Sequence, residues 1–218
     1  TAAKQLVQQQ GVAIDMPAGP SEVCVYADET AVPSFVAADL LSQAEHGADS
    51  QVLLIASNSN IVEQVQLELT QQLADLPRAD FATKALGHSK AIVIASREDA
   101  IQLINAYAPE HLILSVDNAL VVAEKIINAG SVFIGNYSPE SVGDYASGTN
   151  HTLPTNGYAK AYSGVSVDSF VKKITFQQLT ETGLKNIAQT VIHMAEGEQL
   201  VAHAQAVAIR VKDIESKM

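Results

Sequence analysis

The chain has 218 residues, of which 47% are hydrophobic and 17% charged, a balance typical of a folded globular protein with one sizeable core. Its formal net charge of −11 argues against a nucleic acid or an anionic membrane as partner, since both require a surplus of Lys and Arg at the contact. The one cysteine, Cys24, excludes a disulfide framework or a thiolate metal site within one chain, and with no membrane-spanning or secretory segment in sight it favours a cytoplasmic location.

Short apolar runs alternate with amphipathic ones through most of the chain. In chain order the pattern predicts the end of a helix over Ala2–Gln10, a strand over Val23–Ala27, a helix over Pro33–His46, a strand over Val52–Ala56, a helix over Ile61–Leu76, a strand over Ala91–Ala95, a helix over Asp99–Tyr107, a strand over Leu112–Val116, a helix over Leu120–Asn128 and a strand over Ser131–Gly135. Apolar strands separated by helices indicate a sheet covered on both faces. We therefore predict an α/β fold with a doubly wound, mostly parallel, Rossmann-like sheet of about five strands, although no strand is followed by a G-x-G-x-x-G fingerprint.

The rest of the sequence lacks this alternation. Asn136–Val167 is rich in Gly, Ser, Asn and Tyr, which predicts a long functional loop. Phe170–Thr175 fits a short strand, and Gln177–Met218 is typical of a helical tail with breaks near Gly183 and Gly197. The last helix is predicted to bury one side, made of Leu200, Val201, Val207 and Val211.

These patterns divide the chain into a Rossmann-like domain over residues 1–165, which carries most of the candidate site, and a helical tail over residues 166–218 that we predict to form a dimer. The chain begins at Thr1 rather than at Met, inside an apparent helix. We therefore expect it to be a piece of a longer protein whose preceding half is missing.

Two pairs of polar residues lie at the ends of predicted elements. Gln43 and His46 are three residues apart, which puts both side chains on one helix face where they can share a ligand; a polar helix end stabilised by the helix dipole is the alternative. Glu110 and His111 precede the fourth strand, and a carboxylate beside an imidazole can act as an acid–base pair; a polar turn is the alternative. Ligands of open sheets usually bind beyond the carboxyl ends of strands, so this pair would reach a site from the opposite edge.

Four further candidates lie in the loop and the tail. Asp144 can offer oxygen to a divalent metal or cap a turn, and His151 can donate to an anionic or amide group. Glu198 and His203 are five residues apart on the tail, where a solvated helix face is the alternative. If imidazoles, a carboxylate and the Gln43 amide converge, such a mixed nitrogen and oxygen set suits zinc, or manganese or cobalt in its place.

Several long motifs occur in an order that closely resembles the histidinol dehydrogenase family. They are Ile14-Asp15-Met16-Pro17-Ala18-Gly19-Pro20-Ser21-Glu22-Val23, Ser42-Gln43-Ala44-Glu45-His46-Gly47, Pro109-Glu110-His111-Leu112, Gly130-Ser131-Val132-Phe133 and Gly143-Asp144-Tyr145-Ala146-Ser147-Gly148-Thr149-Asn150-His151. The resemblance covers the latter half of a family member.

The resemblance implies a zinc-dependent oxidation of L-histidinol to L-histidine in two steps, each using NAD⁺, by a homodimer. It implies that the zinc ligands are Gln43, His46, Asp144 and a His203 delivered from the neighbouring subunit. Carried over by motif, Glu110 activates water for the second oxidation and His111 is the general base. The substrate contacts that it implies are Ser21, Gln43, His46, His111, Asp144, His151, Glu198 and His203. The NAD-binding residues of the family precede Thr1, so we expect this chain alone to lack the full activity.

Two other functions fit the same residues. A metal-dependent hydrolase would use Gln43, His46, Asp144 and His203 to hold the ion, with Glu110 activating water, and would turn over without NAD⁺. A non-catalytic, zinc-stabilised dimerisation module would depend on metal for its stability and association, and would have no affinity for histidinol.

Overall fold

The computed structural model describes residues 2–217. Its strands are β1 (Glu22–Ala27), β2 (Gln51–Ala56), β3 (Lys90–Val93), β4 (His111–Ser115) and β5 (Ser131–Ile134). Its α-helices are α1 (Ala2–Gln9), α2 (Pro33–Ala44), α3 (Ser59–Ala74), α4 (Ala79–His88), α5 (Arg97–Tyr107), α6 (Ala119–Ala123), α7 (Glu140–Tyr145), α8 (Glu181–Gly197) and α9 (Val201–Ser216). The chain divides into two compact units, Thr1–Val171 and Lys172–Met218.

The first unit is built on one parallel sheet in the strand order β3-β2-β1-β4-β5. The chain adds strands outward from β1 in one direction and then, at β4, in the other, which is the defining feature of a doubly wound fold. Helices α2, α3 and α4 cover one face of the sheet, and α5 and α6 cover the other. The predicted α/β, doubly wound parallel sheet is confirmed.

Alternation along the central strands sorts side chains between the two layers. In β1, Val23 and Val25 point into the layer with α2, whereas Cys24 points into the layer with α5. In β4, Ile113 lies in the α2 layer, so His111, two residues earlier, points to the same face. The thiol of Cys24 is fully buried, and burial raises its pKa, which makes it an inert part of the core.

Local sequence explains where the helices begin and end. Pro33, whose ring fixes φ, occupies the first turn of α2, where no N–H partner is needed. The side chains of Asn58 and Ser96 accept the N–H groups of Ile61 and Asp99 and so cap α3 and α5. Ala108 adopts a left-handed φ of 56° and ends α5.

Three elements of the first unit differ from the sequence prediction. Ala79–His88 is a helix that we did not predict; its two buried residues, Ala82 and Ala85, are small and leave a weak apolar stripe. The helix predicted over Leu120–Asn128 is shorter, since α6 ends at Ala123. The predicted loop over Asn136–Val167 contains α7.

The second unit, taken by itself, is a pair of helices in which α8 packs on α9. The strand predicted over Phe170–Thr175 is wrong, because no strand in residues 2–217 pairs with this segment and an unpaired strand is not stable. The break predicted near Gly183 is also wrong: its N–H donates to the Thr180 hydroxyl at 3.0 Å and so lies within the capped first turn of α8. The break near Gly197 is confirmed, since α8 ends there.

The buried side of α9 also differs from the prediction. Leu200 and Val201 are 41% and 71% exposed within the unit, because they lie at the start of the helix, beyond its buried stripe. Ala204 and Ile214 are the residues of α9 that the unit buries. None of the helices in residues 2–217 has both the length and the apolar character needed to cross a membrane.

Candidate metal and acid–base site

The candidate site lies where β1, β4 and β5 begin. His111 is the first residue of β4 and pairs with Val23 of β1 on one side and with Ser131 of β5 on the other. Glu110 precedes it, and its carbonyl accepts the N–H of Ser131 at 2.9 Å. We call this region the amino-edge site and define it by the residues Ser21, Glu22, Gln43, His46, Glu110, His111, Glu140 and Asp144.

The backbone at Gly130 fixes the approach to Glu110. A Cβ atom at this position would lie 2.5 Å from the carbonyl oxygen of Glu110 and 3.1 Å from the side chain of Leu153. Any other residue at position 130 would therefore push Glu110 out of place. The glycine of the Gly130-Ser131 motif is therefore required because Glu110, a member of the acid–base pair, packs directly against it.

Hydrogen bonding assigns the proton on the ring of His111. Its Nδ1 atom lies 3.2 Å from the backbone oxygen of Glu22, which can only accept, so Nδ1 carries the proton. Two further acceptors face Nδ1: Glu140 Oε1 at 3.6 Å and Glu110 Oε2 at 3.7 Å. The opposite atom, Nε2, is buried and has no hydrogen-bond partner among residues 2–217. Burial lowers the pKa of His111. The ring is therefore a neutral base whose free lone pair is on Nε2.

Glu110 is held as a second base. Its Oε2 atom accepts the backbone N–H of Glu22 at 2.9 Å, and its carboxyl also hydrogen-bonds the side chain of Ser21. The residue is 4% exposed. Burial, with the nearby charges of Glu22 and Asp144, raises the pKa of Glu110 to about 7. A carboxyl group with a pKa near neutrality can both take and return a proton at physiological pH.

Helices α2 and α7 bring a second set of polar groups to the same place. Asp39, Gln43 and His46 recur at intervals of four and three residues along α2 and just beyond it, so they share one helix face. Glu140 and Asp144 are four residues apart on α7 and also share a face. Ligand atoms of His46, Glu140 and Asp144 all lie within 4.8 Å of one another. We call these three residues the ligand cluster.

The donor set of the ligand cluster fits a divalent metal ion. One imidazole and two carboxylates are hard or borderline ligands of the kind that zinc and manganese bind. Gln43 is 0% exposed, yet neither its Nε2 nor its Oε1 has a hydrogen-bond partner in the described chain. Burying an unpaired amide costs roughly 1–3 kcal/mol. A cation that takes the amide oxygen as a further ligand would remove part of that cost.

The carboxyl groups around the cluster also favour a cation. Burial, with the charges of Asp144, Glu110 and Asp39, raises the pKa of Glu140 to about 8. Burial alone raises the pKa of Asp39 to about 7. Carboxyl groups that are this difficult to ionise favour a bound positive charge. The charge of Asp144 also raises the pKa of Glu110 and that of His111, so the ligand cluster and the acid–base pair form one site.

The remaining sequence candidates have different positions. Ser21 lies in the amino-edge site beside Glu110. His151 is exposed on the loop after α7 and is not part of the ligand cluster. Glu198 follows the last residue of α8, and His203 lies exposed in the first turn of α9; both belong to the second unit. The substrate contact of Glu198 and the contribution of His203 to a neighbouring subunit remain predictions.

Two residues of the site were missed in the sequence. Glu140 is 3% exposed and belongs to the ligand cluster, but it lies in the segment predicted to be a loop, where a spacing of four residues from Asp144 does not predict a shared face. Pro139, directly before it, is a helix-start signal that could have indicated α7. Glu22 contacts the acid–base pair through its backbone, for which its residue type gives no signal.

At the opposite edge of the sheet, where open α/β sheets usually bind ligands, the polar groups of Asp28 are bound by other residues of the chain. Asp28, after β1, accepts the N–H and the hydroxyl of Thr30 at 2.9 and 2.6 Å. Its other oxygen accepts the N–H of Asp117, after β4, at 2.8 Å and faces Arg97 at 3.6 Å. Both oxygens of Asp28 are therefore occupied by the protein at the point where the strand order reverses.

We expect the metal-free chain to lose stability as the pH rises from about 5 to about 8. Glu110, Glu140 and Asp39 have folded-state pKa values of about 7, 8 and 7, above the ordinary values of 4.5, 4.5 and 3.8. The folded state therefore keeps protons that the unfolded chain has released, and this contribution disappears as the pH passes through about 7 to 8. Urea unfolding at several pH values measures it.

His111 works in the other direction over part of this range. Its lowered pKa gives a contribution that is present above the ordinary value of 6.5 and is lost at lower pH. Three carboxyl groups nevertheless outnumber one imidazole. The variant Glu140→Gln should show a shallower pH dependence. A urea midpoint that stays constant or rises between pH 5 and 8, in a chain stripped of metal by a chelator, would contradict the prediction.

Comparison with known proteins places these features in context. The sequence model of the family described as "Histidinol dehydrogenase" matches residues 1–211. The histidinol dehydrogenase of Bacteroides thetaiotaomicron is 59% identical over 214 residues, which cover 98% of this chain and 50% of that protein. The chloroplastic histidinol dehydrogenase of Arabidopsis thaliana is 56% identical over 220 residues, which cover 100% of this chain and 47% of that protein.

A solved structure agrees with these sequence matches. The crystal structure of histidinol dehydrogenase from Elizabethkingia anophelis superposes with a TM-score of 0.95 at 60% identity, covering 99% of this chain and 50% of that chain. The chain thus spans about half the length of the curated relatives that it matches.

Proposed function

The chain belongs to the histidinol dehydrogenase family, and from that premise we propose that it supplies the metal-binding and acid–base part of an enzyme that oxidises L-histidinol to L-histidine in two NAD⁺-dependent steps. Members of this family are oxidoreductases of histidine biosynthesis. The observation that carries the proposal is the amino-edge site, in which two buried bases lie beside a cluster of metal-binding side chains.

We propose zinc as the ion, with manganese or cobalt as substitutes. His46 and Asp144 would hold it, together with the amide oxygen of Gln43 and with His203 of a neighbouring subunit. The geometry supports the first two directly and supports Gln43 through its unpaired, buried amide. Bound there, the ion would act as a Lewis acid and a template that orients the amino alcohol. Glu140, as the third member of the ligand cluster, is the other candidate ligand.

His111 would act in both oxidations. In the first, Nε2 takes the proton of the substrate hydroxyl while the hydride on the same carbon leaves, which gives the aldehyde. In the second, Nε2 takes the hydroxyl proton of the hydrated aldehyde as the second hydride leaves, which gives the carboxylic acid. NAD⁺ would accept one hydride in each step. The free Nε2 lone pair and the proton fixed on Nδ1 support this role.

Glu110 would act between the two oxidations. Its carboxylate takes a proton from water as the water oxygen adds to the aldehyde carbon. The protonated His111 would return the proton from the first oxidation to the aldehyde oxygen, which gives the hydrated aldehyde and frees Nε2 for the second oxidation. The raised pKa of this buried group makes it a stronger base than an ordinary carboxylate. Ser21 and the backbone N–H of Glu22 would keep it oriented, and His151 and Glu198 would contact the substrate.

The complete enzyme requires more than this chain. We propose that the NAD⁺ site is formed mostly by the half that the relatives have outside the matched region, and that the enzyme is a homodimer in which the second unit serves the partner's site. The exposed His203 on α9 supports this arrangement. We propose a cytoplasmic location. Two plant relatives are described as chloroplastic.

The test uses the chain joined to the other half of a family member. With zinc, L-histidinol and NAD⁺, two NADH should form for each histidine. The variant Glu110→Gln should retain the first oxidation and slow the second, by about 10²-fold or more, because it cannot take a proton from water. Stopped-flow absorbance and product chromatography separate the two steps. The chain alone should show no steady turnover.

Three results would count against the proposal. Turnover of amides or esters without NAD⁺ would identify a hydrolase. Zinc-dependent stability and association with no calorimetric binding of histidinol would identify a dimerisation module. Steady oxidation of histidinol by the chain alone would show that the NAD⁺ site is not in the other half.

A further inference from the structure

Glu22 lies at the start of β1 and contacts both members of the acid–base pair through its backbone. Its N–H donates to Glu110 Oε2 at 2.9 Å, and its carbonyl oxygen accepts Nδ1–H of His111 at 3.2 Å. These two bonds set the direction of the Glu110 carboxylate and the tautomer of the His111 ring. The peptide units on the two sides of one Cα atom therefore orient both bases.

The side chain of Glu22 fixes that backbone from the other face of the sheet. The residue is 5% exposed and points toward α5, because it alternates with Val23. Its Oε2 atom accepts the hydroxyl of Tyr107 at 3.1 Å, and Tyr107 also lies 3.1 Å from Gln51 of β2. The carboxylate is thus tied to α5, and through Tyr107 to β2.

The other carboxylate oxygen of Glu22 is bound by a loop. Oε1 accepts the N–H of Asn156 at 2.9 Å, and the carboxylate also accepts the N–H of Gly157. Asn156 and Gly157 both have left-handed φ values, 57° and 76°. Successive N–H groups in such a conformation form a concave nest that binds an anion. Asparagine tolerates this conformation, and the N–H of Tyr158 closes the turn on the carbonyl oxygen of Thr155 at 3.0 Å, so the two N–H groups are held in place.

A second tie joins the same loop to the segment before Glu22. The N–H of Gly19 donates to the Thr155 hydroxyl at 2.5 Å, and Thr155 is 2% exposed. The loop residues Thr155–Gly157 therefore hold the chain on both sides of Ser21. Loss of the Glu22 carboxylate would release one of these ties and leave the nest empty.

We propose that Glu22 is a positioning residue, whose side chain anchors the start of β1 between Tyr107 and the Asn156–Gly157 nest so that its own backbone orients Glu110 and His111. The expected effect of Glu22 on kcat rests on the proposed function. Its expected effect on the ring tautomer of His111 does not, because that tautomer is observable without substrate.

The test compares variants in the protein completed with the family's other half and loaded with zinc. Glu22→Ala removes the bonds of the carboxylate to Tyr107 and to the Asn156–Gly157 nest. It should lower kcat by about 10- to 100-fold, the usual effect of losing a group that orients a reacting side chain, with KM changed less than about threefold. Glu22→Gln keeps the length and an acceptor oxygen, and should keep kcat within about fivefold of wild type. Nitrogen-15 spectra of the His111 ring should show a fixed Nδ1–H tautomer in wild type and Glu22→Gln, and a mixture in Glu22→Ala.

Cys24→Ala is the matched control for stability, because it creates a cavity in the same strand, where Cys24 is fully buried, without touching the site. It should lower Tm but leave kcat and the His111 ring signals unchanged. If Glu22→Ala does not fold, Glu22→Asp decides in its place, since it keeps the charge but is too short to reach the nest. That variant should lower kcat at least tenfold.

Two outcomes would overturn the proposal. One is wild-type kcat and a wild-type His111 tautomer in Glu22→Ala or, in its place, Glu22→Asp. The other is a fall in kcat that Cys24→Ala reproduces at the same loss of Tm. A wild-type protein that does not oxidise histidinol would instead refute the proposed function, and the ring spectra would still test the positioning.

Discussion

Replacing His111 by asparagine is expected to lower kcat of the completed enzyme by about 10²- to 10⁴-fold, the range for loss of a general base. Asparagine keeps a donor that can reach the backbone oxygen of Glu22, so the start of β4 should remain in place. It lacks the basic lone pair that His111 Nε2 directs into the site. Steady-state kinetics with histidinol, and separately with the aldehyde, measure the effect on each oxidation.

Both oxidations should be impaired in the His111 variant, since each one removes a hydroxyl proton. The control is His88→Asn. The ring of His88 contacts the backbone oxygens of Lys84 and Ser50 and belongs neither to the acid–base pair nor to the ligand cluster. That change should alter stability alone. A His111→Asn enzyme that oxidises the aldehyde at the wild-type rate would limit the base to the first step, and one that is active in both steps would show that another group takes the protons.

Replacing His46 by alanine is expected to remove the bound metal and to lower kcat by about 10³-fold or more. A Lewis acid contributes several kcal/mol to a transition state, and each 1.4 kcal/mol is about tenfold in rate. Without His46, the ligand cluster retains only the carboxylates of Glu140 and Asp144. Metal content after dialysis, measured by mass spectrometry, and kcat with added zinc are the two readouts.

Glu45 offers a matched control for the metal prediction. It is adjacent to His46 at the end of α2 but is not part of the ligand cluster. Glu45→Ala should bind one equivalent of zinc as tightly as wild type, and added zinc should not raise its kcat. Stoichiometric zinc in His46→Ala after dialysis would mean that the ion is bound elsewhere.

The sheet could be predicted from the sequence because each strand has its own signal. The five apolar runs between helices are local patterns, and the parallel, doubly wound arrangement follows from them with few alternatives. The elements that were missed have weak signals of this kind. In α4 the buried residues are alanines, and α7 is a short helix within a stretch rich in Gly and Ser.

The candidate site was predictable only in part. Gln43, His46, Glu110, His111 and Asp144 were found by residue type and by motif. Glu140 required the knowledge that α7 is helical, since only then does its spacing from Asp144 have a meaning. Glu22 could not have been found, because what it offers Glu110 and His111 is an N–H and a carbonyl oxygen that every non-proline residue possesses.

Helix α2 carries core residues on one stripe and site residues on the adjacent stripe, and this limits how its sequence can change over evolution. Leu40, Leu41 and Ala44 pack on the sheet, while Gln43 shares a helix face with His46 of the ligand cluster. Deleting one residue between Leu41 and Gln43 would rotate everything after it by about 100° about the helix axis. Side-chain replacements in this helix can be compensated one at a time. An insertion or deletion would instead displace the core residues and the site residues together. Homologues should therefore vary in length on either side of α2 and never within it.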